Sequence, residues 1–249
     1  MADLAAIRKV LTERGPLTGA DLHSEVGGEV FGLWKACRGS GDFDIAVTGR
    51  RYMRLDRTVE GFARLSPSIL REFMTYSVIG LPGQHAQIAK AADRLQRRTV
   101  AISRTKLGVA RRFIEEVLEP LGDAGTDLAQ FCFLIAGDVV YDMSHDVVRR
   151  ESSSGGRVDG SDLDIVVLAS DEAPQDAVDA IDAAIMTRKW LYLRNPAVRE
   201  EVDYVVKRFA RLDEQSGFDT FGHMVACKVF DEARLLQGSR ELHEAGRRL

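Results

Sequence analysis

Gly155-Gly156-Arg157-Val158-Asp159-Gly160-Ser161-Asp162-Leu163-Asp164-Ile165-Val166-Val167-Leu168 is the stretch whose reading decides the fold. Asp162 and Asp164 are separated by one apolar residue. The β-branched run after them is bounded by Ser170 and Asp171, which predicts a buried strand. Residues two apart on a strand point to the same face, so both carboxylates project together. Like charges held side by side repel, and burying them unpaired costs several kcal/mol. A divalent cation removes that cost.

The order of the elements narrows the reading. A Gly-Ser turn precedes the pair and the strand runs on from it, whereas in many enzymes with an Asp-x-Asp motif the pair closes the strand. Gly160, Ser161, Asp162, Leu163, Asp164 and Ile165 resemble the nucleotidyltransferase superfamily with the DNA polymerase β-like fold, of the minimal nucleotidyltransferase type. Its signature is a strand, a Gly-Ser-type phosphate turn and helix, then a strand opening Asp-apolar-Asp. The resemblance implies a third carboxylate on a later, neighbouring strand. Glu201-Val202-Asp203-Tyr204-Val205-Val206 supplies Asp203 in a β-prone run. It further implies that Asp162, Asp164 and Asp203 are both the catalytic carboxylates and the ligands of Mg2+ (or Mn2+), with a nucleoside triphosphate, ATP by choice, as substrate. Short Asp-x-Asp matches are frequent by chance, and Gly-Ser-Asp is also ordinary turn and capping chemistry. The ordered set, not the six residues, therefore carries the assignment.

Phe131-Cys132-Phe133-Leu134-Ile135-Ala136-Gly137 is a continuous apolar run ending at a glycine, the pattern of a central buried strand. By the resemblance it is the first strand of the catalytic sheet, and Gly137 opens the phosphate turn. Asp138 stands where the family has a Ser, and the connection to Asp162 is longer than the family norm. An acidic side chain beside a triphosphate is unfavourable unless it holds a metal or points away. Backbone N–H groups at the start of the following helix would still cradle phosphates. Taking Ser154-Gly155-Gly156 as the turn leaves too few residues for the intervening helix. The implied nucleotide-binding residues are thus Gly137, Asp138, Gly160, Ser161 and Arg157. The insert from Val139 to Arg150 carries Tyr141, Asp142, His145, Arg149 and Arg150. There His145 reads either as a base for an acceptor hydroxyl or as an ordinary surface or capping residue.

Upstream, the spacing of Leu4, Ile7, Val10 and Leu11 predicts a helix over Ala2 to Arg14, ended by Gly15-Pro16. Thr18 caps a second helix over Ala20 to Val26, and Val30 to Cys37 forms a third. Phe43 to Val47 and Tyr52 to Leu55 alternate around Gly49-Arg50-Arg51 as a hairpin. Three short helices and a hairpin resemble a winged helix-turn-helix domain. In such domains Lys35, Arg38, Arg50 and Arg51 would meet DNA phosphates, but Asp21, Glu25, Glu29, Asp42 and Asp44 nearly balance them. The module therefore serves either DNA or protein contacts.

Further along, Ser66-Pro67 starts a helix, and about 60 to 83 reads as a helical connector. Gln84 to Leu118 is helical and carries a basic tract, Arg94, Arg97, Arg98, Arg104, Lys106, Arg111 and Arg112. That tract is either a solvated face or a surface for phosphates. Ala173 to Trp190 is a helix packed on the sheet and broken at Asn195-Pro196. His223 to Phe230 is β-prone, a last strand, and a short helix ends the chain.

Composition bounds the rest. With 34 Lys and Arg against 38 Asp and Glu, the net charge is −4, so any nucleic-acid contact comes from a local patch. Cys37, Cys132 and Cys227 are odd in number and far apart, which argues against a disulfide framework or a structural zinc site. Met1-Ala2-Asp3-Leu4 does not start a signal segment, and no apolar stretch is long enough to span a bilayer. A cytoplasmic protein without membrane association is expected.

The expected fold is α/β (α+β). A winged-helix-like domain over 1–59 and a connector over 60–83 precede a polymerase β-like nucleotidyltransferase mixed sheet with flanking helices over 84–249. The expected activity is transfer of a nucleoside monophosphate to a hydroxyl on a protein, RNA or nucleotide, in a toxin-antitoxin or phage-defence setting. The alternative is a winged-helix DNA-binding regulator whose nucleotidyltransferase domain is inert or senses nucleotides.

Overall fold

A computed structural model describes residues 3–49, 69–123, 126–150, 157–217 and 219–249. The chain divides into two compact units. Among the described residues one comprises 3–49 with 69–101, and the other 102–249.

The first unit opens with α1 (Leu4–Arg14), the two-residue strand β1 (Leu17–Thr18), α2 (Gly19–Val26), α3 (Val30–Gly39) and β2 (Asp44–Val47). Each helix starts where a side chain satisfies the otherwise unpaired N–H groups of its first turn. Asp3 accepts from Ala5 N–H, Thr18 from Asp21 N–H, and Glu29 from the N–H groups of Phe31 and Gly32. Then come α4 (Ile69–Tyr76) and β3 (Ser77–Gly80). Strand β3 is fully buried and pairs antiparallel with both neighbours in a small sheet of order β1-β3-β2, with Ile79 opposite both Leu17 and Ile45. Ile7, Leu11, Leu22, Leu33, Phe73 and Ile79 form its core.

This differs from the sequence reading in two respects. The connector is not a linker in its second half, because the apolar run Val78-Ile79 is consumed as the central strand of the first unit. The expected partner of 43–47, residues 52–55, lies outside the described residues together with Arg50 and Arg51, and β2 pairs with β3 instead.

Next is α5 (His85–Asp123), 39 residues long, within which the boundary between the units falls at 101/102 rather than at 83/84. The second unit continues through a 3-10 turn (Leu128–Gln130) to β4 (Phe131–Ala136), a second 3-10 turn (Gly137–Val139), β5 (Val148–Arg150), β6 (Arg157–Asp159), β7 (Leu163–Ala169) and α6 (Gln175–Arg194). It closes with β8 (Val202–Arg208), α7 (Phe209–Ser216), α8 (Phe221–Glu232), β9 (Arg234–Gly238) and α9 (Arg240–Gly246). The main sheet has the order β8-β7-β4-β9. It is mixed, with β7 and β8 parallel and the other pairs antiparallel. Both faces are covered, as a near-continuous apolar run such as Phe131–Ala136 requires. On one face Phe131, Phe133, Ile135, Ile165 and Val167 pack on Phe113, Val117, Ile181 and Ile185 of α5 and α6. On the other, Cys132, Leu134, Val166 and Leu168 pack with Leu212 and Phe230 of α7 and α8. Among the described residues no helix is long and apolar enough to cross a membrane.

Two expectations fail in this unit. Residues 223–230 are helical: Thr220 accepts from His223 N–H at the start, Lys228 pairs with Glu232 one turn on, and the last strand is Arg234–Gly238. The helix that the resemblance places after Gly137 is a three-residue 3-10 turn followed by the antiparallel pair β5 and β6, with no α-helix among the described residues between Gly137 and Asp162.

Candidate acidic site at the end of the sheet

The site lies where β4 ends and β7 and β8 begin. Register places Ala136 opposite Asp164 and Asp164 beside Asp203, so the end of β4, Asp164 and Asp203 form one row across three strands. Their face is that of Val166 and Leu168, two and four residues on from Asp164. Gly137 follows directly. Its backbone has φ +68°, and a Cβ built there would lie 1.9 Å from Asp164 Oδ2, so glycine is what lets the carboxylate lie against the turn.

Burial and the charges of Asp162, Asp138, Asp203 and Glu232 push the Asp164 carboxyl up to about 7. That is the signature of uncompensated negative charge. Asp138 is buried and accepts a hydrogen bond from Ser161 Oγ at 2.7 Å. Ser161 in turn accepts from His145 N–H and donates its own N–H to the His145 carbonyl. Asp138 and Ser161, read as nucleotide contacts, thus bond to each other. They clamp the turn after β4 to the entry of β7.

Gly160 closes the clamp with φ +82°. A Cβ there would lie 1.9 Å from the His145 carbonyl oxygen. His145 itself is buried, and its Nδ1 accepts from Val147 N–H, which puts the proton of the neutral ring on Nε2. Arg157, on β6, is exposed. The basic tract is solvent-facing at Arg94, Arg97, Arg98, Arg104, Arg111 and Arg112, while Lys106 is buried in an ion pair with Glu200 at 2.5 Å.

Two residues at the site escaped the sequence reading. Lys189 of α6 reaches Asp203 Oδ1 at 3.5 Å. Glu232, at the last position of α8, has a side chain only 4% exposed. Its Oε1 accepts from Gly137 N–H at 3.1 Å, and its Oε2 accepts from Tyr141 Oη and Lys228 Nζ, both at 2.6 Å. The only local signal of that arrangement is the Lys228-x-x-x-Glu232 spacing. That Glu232 meets Gly137, 95 positions earlier, is a tertiary fact.

Carboxylate oxygens in a row are the donor type that a hard divalent cation takes. The side chains do not yet converge on one point, since no three His, Cys, Asp or Glu among the described residues stand as a group around a metal position. Comparison of the chain with protein-family models, with curated proteins and with solved structures finds no match in any of the three.

Proposed function

We propose that the second unit is a metal-dependent nucleotidyltransferase of the polymerase β-like type, transferring a nucleoside monophosphate from a nucleoside triphosphate to a hydroxyl acceptor. One observation carries the reading: Asp164 and Asp203 stand side by side in parallel register next to the end of β4, with Gly137 against Asp164. Asp162, two residues before Asp164, shares its parity, and its charge contributes to raising the Asp164 pKa. Asp162, Asp164 and Asp203 would hold magnesium or manganese. The metal would neutralise the cluster and polarise the triphosphate and the acceptor hydroxyl.

The chain's own residues prepare the rest. Gly137 and the clamp of Asp138 on Ser161 fix the turn against which the triphosphate would lie. Asp203, with a side chain 44% exposed, is open to an incoming acceptor, and Lys189 offsets its charge until the site is loaded. The acceptor oxygen would bond to the α-phosphorus as the bond from that phosphorus to the β-phosphate oxygen breaks, pyrophosphate leaving and the hydroxyl proton passing to solvent. The acceptor, on protein, RNA or a nucleotide, and a toxin-antitoxin or phage-defence role belong to this proposal as its outer part. So does a winged-helix role for the first unit.

The test is incubation with each α-labelled nucleoside triphosphate and Mg2+ or Mn2+. Label transfer and pyrophosphate release should fall by at least about a thousandfold in Asp162→Ala and Asp164→Ala while the fold persists. Unchanged turnover in either variant sinks the assignment. A second reading, an inert or nucleotide-sensing domain behind a DNA-binding unit, is favoured by the capture of Gly137 N–H by Glu232. Metal-dependent nucleotide binding without any pyrophosphate release would select it.

A further inference from the structure

Three donors, Gly137 N–H, Tyr141 Oη–H and Lys228 Nζ, converge on a single carboxylate with almost no exposure. They come from a backbone turn, the segment after it and a helix far along the chain. One is a backbone N–H at positive φ, one a neutral hydroxyl and one an ammonium, a combination that binds anions in general rather than Glu in particular. Lys228 also lies over the Tyr141 ring, 5.8 Å from its centroid, and Arg234 holds the other side of the turn through the Val140 carbonyl at 2.6 Å. These two contacts do not involve Glu232. Moreover, Glu232 Oε1 and Asp164 Oδ2 both lie against Gly137, so the occupant is an anion placed beside an acidic row.

An anion there is costly unless something replaces it with a group that brings its own cation. A carboxylate that only anchored the turn would do so equally well at a site with no neighbouring carboxylates.

We propose that Glu232 is an internal anion occupying the phosphate subsite of the second unit, and that a polyphosphate chain of the substrate displaces it, exchanging onto Gly137 N–H, Tyr141 and Lys228. The proposal rests on the nucleotidyltransferase reading for the identity of the incoming anion. The displaced carboxylate rotates away about its own side-chain torsions, and no covalent change is involved. The device makes the empty site self-inhibited: binding must first break three hydrogen bonds, and the apparent affinity is reduced by the fraction of molecules in which Glu232 holds the subsite.

The test measures binding of inorganic tripolyphosphate, with and without Mg2+, by calorimetry on the full chain. Glu232→Gln keeps a carbonyl oxygen for Gly137 N–H but removes the charge. It is expected to bind magnesium tripolyphosphate at least tenfold more tightly than the wild type, and Lys228→Met in the Gln background should remove most of that gain. Glu232→Asp, which keeps the charge but is too short to hold all three donors, is expected to lie between and covers the case in which the Gln variant fails to fold. Equal or weaker binding by a folded Gln or Asp variant overturns the proposal and leaves Glu232 as a residue that positions the turn. The same probe on Asp164→Asn separates the two readings. Tighter binding in Glu232→Gln with metal dependence unaltered by Asp164→Asn supports the anion subsite and removes the nucleotidyltransferase reading. No binding by any variant overturns both.

Discussion

Asp164 is the residue at which burial and charge conflict most plainly. Burial, and after it the charges of Asp162, Asp138, Asp203 and Glu232, push its carboxyl from the ordinary 3.8 of the unfolded chain up to about 7 in the fold. The folded state therefore retains a proton that the unfolded state has lost, and stability falls as pH rises from about 4 to about 7, by at most about 1.4 kcal/mol per pH unit. Chemical denaturation of chelator-treated protein across that window should show this slope, and Asp164→Asn should flatten it. A slope of the opposite sign in the wild type would mean that the row is already compensated. Lys106 and Glu200 pose the converse problem, two buried charges that satisfy each other, with side chains 6% and 14% exposed. Lys106→Met alone leaves Glu200 unpaired and should cost about 3–5 kcal/mol. Adding Glu200→Leu should recover most of it, read from urea midpoints of the double-mutant cycle.

At the scale of elements, the turns rather than the strands specify the site. Gly160→Ala would drive a Cβ into the His145 backbone carbonyl at positive φ, with nothing able to move aside cheaply, and should cost about 2–4 kcal/mol. Gly41→Ala, at φ +69° with open space around it, should cost only about 1 kcal/mol. Gly137→Ala differs from both. Its Cβ meets a side-chain oxygen, Asp164 Oδ2, so the turn survives by displacing that carboxylate. The expected result is a modest change in melting temperature and a large loss of metal affinity, measured by calorimetric titration with Mn2+. Elements were legible in the sequence where one pattern dominated. The apolar runs at 131–136 and 163–169 could bury themselves only as central strands, Thr18 caps a helix start through its side chain, and Asn195-Pro196 marks a helix end. Residues 223–230 misled because Val225 and Val229 suggest a strand, whereas the Thr220 cap and the Lys228–Glu232 pair favour a helix. Residues 77–80 misled because four apolar or small residues are too few to reveal that two other strands will flank them.

Across the whole molecule, each of the two units has its own buried clusters, and only the second carries the acidic row. A divalent cation bound there would stabilise that unit. At ten times the dissociation constant the gain is about 1.4 kcal/mol, which raises its melting temperature by roughly 3–6 °C. Scanning calorimetry with and without Mg2+ should show that shift in the wild type and not in Asp162→Ala. The net charge of −4 adds a further expectation: any duplex-DNA binding by the first unit comes from a local patch and should weaken steeply with salt. The sequence by itself determined the alternation and apolar runs that build the sheet, the carboxylates of Asp162 and Asp164 at the entry of β7, and that of Asp203 in a later strand. These follow from periodicity and side-chain chemistry, which are local. Only the tertiary structure decided that Asp203 lies beside Asp164, that Asp138 and Ser161 bind each other, and that Glu232 fills the donors around Gly137. Each of these depends on which distant segments the core brings together, and side-chain pairing across 23 to 95 positions leaves no period in the chain to read.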